Sequence, residues 1–171
     1  MSAFSSKNQE ASLFLSLNND ITRLAAALDS TPEIRKLLYY IDKNALEQPE
    51  VKMSLVDKTI WRTPLIPLHN ETDVDASYIS INLLMEDIGN ERNNAITTIA
   101  IDVWTPPEQW IINDGLRPLI ICNYIDKVMR TKFVQTSGVK YRLDQVINAK
   151  LSDRLIGIRM VYETILENYY K

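Results

Sequence analysis

Few residues in this 171-residue chain are of a kind that does chemistry, and those few stand apart. The only histidine, His69, lies in a polar stretch ahead of Asn70 and Glu71, with no second histidine at ligand spacing. Histidine ligands and triads come as constellations, so His69 reads as an ordinary surface residue. The only cysteine, Cys122, sits in the apolar run LRPLIICNYI, with no positive neighbour to activate it, and reads as a buried, inert thiol. Asp73 with Asp75 and Glu86 with Asp87 are the close acidic pairs. Two carboxylates can hold magnesium, yet neither pair has a third acid or a lysine at motif spacing. Four glycines, at 89, 115, 138 and 157, are too dispersed for a phosphate-cradling loop. Asp102 stands on the opposite strand face from Ile101 and Val103, where a strand-neighbouring arginine, Arg142 or Arg159, is a better expectation than a catalytic role. No catalytic, cofactor-binding or metal-binding residue is assigned on these grounds. A non-enzyme without cofactor is the expectation, with a small magnesium-dependent nuclease using Asp73 or Asp75 as the alternative from another class.

Composition narrows the class further. With 46% hydrophobic and 24% charged residues the chain is ordinary globular material, and its length suits one domain with a real core. Nineteen basic against 22 acidic residues give a net charge of −3, and the Lys and Arg residues are scattered. Phosphate neutralisation needs clustered bases, so DNA contact is expected to be weak and non-specific. One cysteine excludes an internal disulfide and suits a reducing compartment. No apolar run reaches the length of a membrane span, and MSAFSSKNQE lacks the features of a signal peptide, so no membrane partner is expected.

The elements that would position these residues follow from periodicity. Leu13, Leu17, Ile21, Leu24 and Leu28 predict an amphipathic helix over residues 9–28, behind a mobile polar lead-in. Ser30 and Glu33 have capping-box spacing ahead of Ile34, Leu37, Leu38 and Ile41, with Pro32 in the first turn. Residues 44–75 break up around Pro49, Pro64 and Pro67 into an irregular connection, with a short extended piece over 58–62. Ile79, Ile81, Leu83 and Met85 then alternate with Tyr78, Ser80, Asn82 and Leu84, a strand with one buried face. After the turn-rich GNERNN, residues 89–94, Thr97, Ile99, Ile101 and Val103 alternate again and complete a long antiparallel hairpin. Leu116, Ile120, Ile121, Tyr124, Ile125, Val128 and Met129 predict a helix apolar over more than half its circumference and so covered on two sides. Two more strands, over 139–151 and 155–165, meet at the turn Leu151-Ser152-Asp153-Arg154. The order predicts an α+β single domain, a mostly antiparallel β-sheet with helices packed on it.

Between the second strand and the long helix lies VWTPPEQWII, residues 103–112, where two tryptophans bracket a proline pair. The prolines end the strand, since neither donates to a ladder. Trp61, Trp104, Trp110, Tyr169 and Tyr170 sit at strand ends, in loops and at the chain end, where they either fill the domain's own core or anchor a subunit interface. The expectation is that the stiff loop presents Trp104 or Trp110 to a neighbouring subunit.

The hairpin YISINLLMEDIGNERNNAITTIAIDVWTPPEQW, the helix LRPLIICNYIDKVM and the closing strand LIGIRMVYETI together resemble the tail terminator (tail-completion) proteins of tailed bacteriophages. The resemblance rests on element order over residues 30–165 and leaves residues 1–29 as an N-terminal arm and amphipathic helix ahead of a domain spanning 30–171. It implies a structural virion protein that forms a homo-oligomeric ring, a hexamer in that family, at the head-proximal end of the tail. Such a ring ends tail-tube polymerisation, contacts tail tube and neck or connector proteins, and lets DNA pass through its lumen. A head-completion connector or stopper ring, and a monomeric adaptor, remain alternatives.

Overall fold

The computed structural model describes residues 3–63, 75–84, 94–134 and 140–167. In chain order they form α1 (Ala3–Asp29), α2 (Pro32–Tyr39), β1 (Ile60–Trp61), β2 (Tyr78–Leu84), β3 (Asn94–Thr105), β4 (Ile111–Ile112), β5 (Gly115–Leu116), α3 (Arg117–Val128), β6 (Arg142–Lys150) and β7 (Ile156–Glu167). A single π-type turn, Met129–Phe133, extends α3. The alternating runs pair as their period demands. The five-stranded sheet has the order β1-β2-β3-β7-β6, and β4 and β5 make a separate two-residue ladder. All neighbours in the larger sheet are antiparallel except β1 and β2. The short extended piece expected over 58–62 is thus an edge strand, parallel to β2. The result is the expected α+β architecture, one compact domain with three helices against a mostly antiparallel sheet.

Registers put the β-branched residues of three strands on one face. Ile79 faces Val103, Ile81 faces Ile101, and Ile101 in turn faces Met160. These side chains, with Ile99, Ile158 and Tyr162, are buried in one cluster with Leu24 and Leu28 of α1, Leu37 and Leu38 of α2, and Ile121, Ile125 and Val128 of α3. Cys122 belongs to the same cluster, and burial pushes its thiol up to about 12, so it stays protonated at neutral pH.

The reverse face of β2 and β3 is buried too, unlike the half-solvated strand that alternation predicts. Tyr78, Trp104 and Leu155 form a second cluster there, against Trp61, Ala76 and Ala149. Gly157 makes this possible. It pairs with Trp104 across the ladder, and a Cβ at this position would collide with the Val103 carbonyl and press on the Trp104 ring. Farther along the same face, Asp102 is 1% exposed and lies opposite Arg159 in register. Arg159 donates from both Nε and Nη2 to the Asp102 carboxylate, at 2.6 and 2.8 Å, and Asn82 Nδ2 donates at 2.8 Å. Of the two arginines proposed from the sequence, Arg159 is the partner, and Arg142 is exposed on β6. A bidentate pair with a third donor satisfies a buried carboxylate that would otherwise be costly.

The helical start differs from expectation in two respects. α1 begins at Ala3, so the polar lead-in is helical, as a stretch without Gly or Pro allows once a nucleus exists. The capping box does not form. Thr31 is the N-cap of α2 without a side-chain cap bond, and Ser30 Oγ and Thr31 Oγ1 both turn back to the Ala27 carbonyl, at 2.8 and 3.1 Å. With one residue between the end of α2's cap and the end of α1, the two hydroxyls terminate the first helix.

Asp29 secures that junction. It accepts from Arg35 Nη2 and Ser54 Oγ, both at 3.0 Å, and from the Leu55 amide at 2.9 Å. Burial alone would raise its pKa, but these donors and the Arg35 charge outweigh it and hold the carboxyl below its ordinary 3.8. A depressed folded-state pKa contributes stability that is complete above the ordinary carboxylate value and is lost as pH falls through the folded value. Asp20 works in the opposite sense, its pKa raised by burial more than Arg23 lowers it. The comparison must therefore be between chains differing only at Asp29. Asp29→Asn is expected to lose about 1.5–3 kcal/mol at pH 7, with the gap to the native chain closing as pH falls below about 4 in urea titrations. A gap independent of pH would overturn this assignment.

Candidate subunit interface

The proline–tryptophan segment is fixed by a residue the sequence reading passed over. Arg117, the first residue of α3, is 0% exposed. Its Nε donates to the Gln109 carbonyl at 3.1 Å, Nη1 to the Leu37 carbonyl at 2.7 Å and to that of Tyr40, and Nη2 to Ile41 and Asp42 at 3.0 and 2.8 Å. The guanidinium thus ties the chain following α2 to the turn after β3. Four of its acceptors are carbonyls at and beyond the C-terminal end of α2, where a cation is favoured and where intrahelical donors run out. Burial lowers its pKa, and nearby Asp42 opposes that shift. Two backbone bonds continue the clamp: the Arg117 amide donates to Trp110 O at 2.8 Å and the Asn113 amide to Lys43 O at 2.9 Å. A signal for Arg117 existed in the sequence. A basic residue in the first turn of a helix opposes the macrodipole, which makes sense only if its charge is used elsewhere.

The tryptophans serve this framework. Trp104 is 6% exposed and donates from Nε1 to Ser80 Oγ at 3.2 Å, so the expectation that it reaches a neighbouring subunit is corrected: it fills the second cluster. Trp110 is half-buried and folds back on its own segment, donating from Nε1 to Thr105 O at 3.1 Å. Trp61 is half-buried against Trp104's cluster. Tyr169 and Tyr170 lie outside the described residues, as do His69, Asp73, Glu86 and Asp87. Asp75 is exposed, and its carbonyl accepts from Gln109 Nε2 at 2.9 Å. Among the described residues no three His, Cys, Asp or Glu side chains gather as a metal set, and no helix is long and apolar enough to cross a membrane.

Among the described residues, exposed apolar side chains occur at the start of α3 and on β6. Ile111 and Leu116 are cross-strand partners in the β4–β5 ladder and share a face, with Ile111 66% exposed. Leu119, one turn along α3, is exposed as well, while Ile120 and Tyr124 pack half-buried against the core, so α3 is covered by the sheet and by α1 and α2 as its apolar circumference predicts. Ile41 and Tyr39, on the chain that Arg117 and Asn113 hold against the ladder, are exposed as well. Asp42 follows Ile41 and Asp114 sits in the ladder's turn, and both are exposed. The Tyr124 hydroxyl has its pKa raised by burial first and then by the charges of Glu33 and Asp114. The second surface is β6. It ends the sheet, and Val146 and Ile147 are exposed on its opposite faces. At the other end of the sheet the two-residue β1 covers Ile79 and Ser80 of β2, and the turn before it folds back on Ile60, where Val56 forms a bridge and the Asp57 amide donates to the Ile60 carbonyl at 2.9 Å.

The YomW family profile matches residues 31–164, from the N-cap of α2 almost to the end of β7. The chain belongs to the YomW family. YomW is a phage-derived family name, and the match points to a phage origin. The matched region contains the Arg117 clamp and both groups of exposed apolar side chains, and leaves α1 outside. A search of curated proteins gives no match.

Two substitutions test the framework. Arg117→Ala is expected to cost about 3–5 kcal/mol in urea unfolding, because carbonyls buried beneath the guanidinium lose their donors. Arg117→Lys should recover only part, since three donors on one nitrogen do not reach both Gln109 and the end of α2. A Lys variant as stable as the native chain would disprove the clamp. Trp104→Ala is expected to lose about 3–5 kcal/mol as a core cavity, visible in the unfolding of the monomer without any partner.

Proposed function

We propose that this chain is a structural ring subunit of a phage tail end: it closes the head-proximal end of the tail tube, stops its polymerisation and joins it to the neck. The observation that carries the reading is the open edge of β6. Among the described residues β6, a nine-residue strand with exposed Val146 and Ile147, has a strand neighbour on one side only, while at the other end of the sheet β1 covers Ile79 and Ser80 of β2. Charged residues and a bulge at Leu143/Gln145 blunt β6 as a bare ladder, so its exposed aliphatic side chains are what a second chain would meet. Membership of a phage-derived family and the order of elements support the same reading. So does the charge balance, since a lumen through which DNA slides gains nothing from a cluster of bases.

The purified protein is expected to form closed rings of a single size, read by native mass spectrometry and negative-stain electron microscopy, with six subunits for a terminator. A twelvefold mass would favour the connector alternative. A chain that stays monomeric at high concentration and in the presence of tail tubes would overturn the ring reading.

A further inference from the structure

We propose that the end of the β2–β3 ladder, beneath the proline–tryptophan segment, holds one enclosed water molecule bound by Ser77, Thr105 and Gln109. These residues are 1%, 0% and 8% exposed, and Ser77 Oγ, Thr105 Oγ1 and Gln109 Oε1 have no hydrogen-bond partner among the described residues. Buried polar atoms are nearly always paired, and leaving one unpaired costs stability. Three of them at one end of a ladder call for a guest that pairs them together.

The backbone brings the three residues to one place. Tyr78 and Trp104 are register partners on antiparallel strands, so Ser77 and Thr105 stand one step beyond that pair on neighbouring chains. By alternation Thr105 shares the core-facing side of Val103, and Ser77 that of Ile79, while Ala76 and Tyr78 on either side of Ser77 pack on the reverse face. Gln109 Nε2 donates to the Asp75 carbonyl at 2.9 Å, two residues before Ser77, which anchors the amide group at the same end of the ladder. The segment is fixed again by Trp110 Nε1 on the Thr105 carbonyl and by Arg117 Nε on the Gln109 carbonyl. The donor and acceptor set selects water. Gln109 Oε1 only accepts, each hydroxyl donates or accepts, and a water molecule offers two donors and two acceptors, so all three bonds can form at once. A metal cation would use only the oxygen lone pairs and would need more ligands than three neutral oxygens supply.

The test uses the full-length chain with Thr105→Val, with Ser77→Ala, and with both. Thr105→Val keeps the side chain's shape, so the sign of its effect decides: a buried hydroxyl without a partner is better removed, whereas one bonded to water leaves that water short of a bond. In urea unfolding each single variant is expected to lower the folding equilibrium constant about fivefold. The double variant should lower it by less than the product of the two, because both hydroxyls bond one water. A Thr105→Val chain at least as stable as the native one would overturn the proposal, and so would a double variant that shows the full product. The native chain supplies a second measurement should a variant fail to fold. Its crystal structure at atomic resolution is expected to show one ordered water within hydrogen-bond distance of all three oxygens. A cation at that place, no ordered water, or direct bonds among the three side chains would overturn the site. Both measurements concern a single chain, so neither outcome depends on the ring reading.

Discussion

A single buried cation organises this fold. Arg117 spends all five guanidinium bonds on backbone carbonyls, four from the chain at and after the end of α2 and one from the turn after β3. A helix end is rich in acceptors without donors, and a chain leaving a sheet is poor in regular partners, so each has what the other lacks. Removing one partner from such a cluster leaves several buried acceptors unpaired at once, which is why its members act as a unit. Among the described residues the charge has no carboxylate bonded to it and is solvated by peptide carbonyls, Leu37 from the last turn of α2 and Tyr40, Ile41 and Asp42 from the chain beyond it.

The clamp also explains why a proline pair and two tryptophans stand in the connection. Pro106 and Pro107 take the chain out of the sheet and into a short 3-10 turn, Pro107–Gln109, whose last carbonyl meets Arg117. Trp104 closes the reverse face of the sheet over Gly157, and Trp110 bonds back to Thr105. The aromatics therefore set the position of the β4–β5 ladder by packing within the chain. Large side chains in a loop need not face outward; here their polar tips find partners a few residues or one strand away, and their ring surfaces are taken up by the domain itself.

Periodicity in the sequence was enough for β2, β3, β6 and β7 and for the three helices, because a period of two or of about 3.6 is a direct imprint of which side is buried, whereas the two-residue β4 and β5 are too short to carry one. It also placed Cys122 in the core and offered Asp102 its arginine. What it missed depends on the third dimension. The capping box failed because Ser30 and Thr31 had a nearer acceptor in Ala27, a competition visible only once α1 is known to run to Asp29. The half-solvated strand failed because Gly157 and Trp104 come together only when β7 lies beside β3, fifty residues apart in sequence. The interface reading went to aromatics, since these dominate known hot spots. Among the described residues the exposed large apolar side chains are mostly aliphatic, and aliphatic residues in sequence cannot be told from core.

That aliphatic exposure follows from how α3 is used. A helix apolar over more than half its circumference needs two covers, and here Ile121, Cys122, Ile125 and Val128 turn to the sheet and the other helices. The end that begins at Arg117 is pinned by its own clamp, so it cannot roll to bury Leu119 without breaking bonds to the end of α2. Leu116 and Ile111 are held out for the same reason, through the Arg117 amide on Trp110 and the ladder between them. The interaction that stabilises the monomer therefore fixes an apolar patch at its surface. In the ring reading proposed above, apolar side chains held out in this way are the kind of surface on which a subunit contact is built.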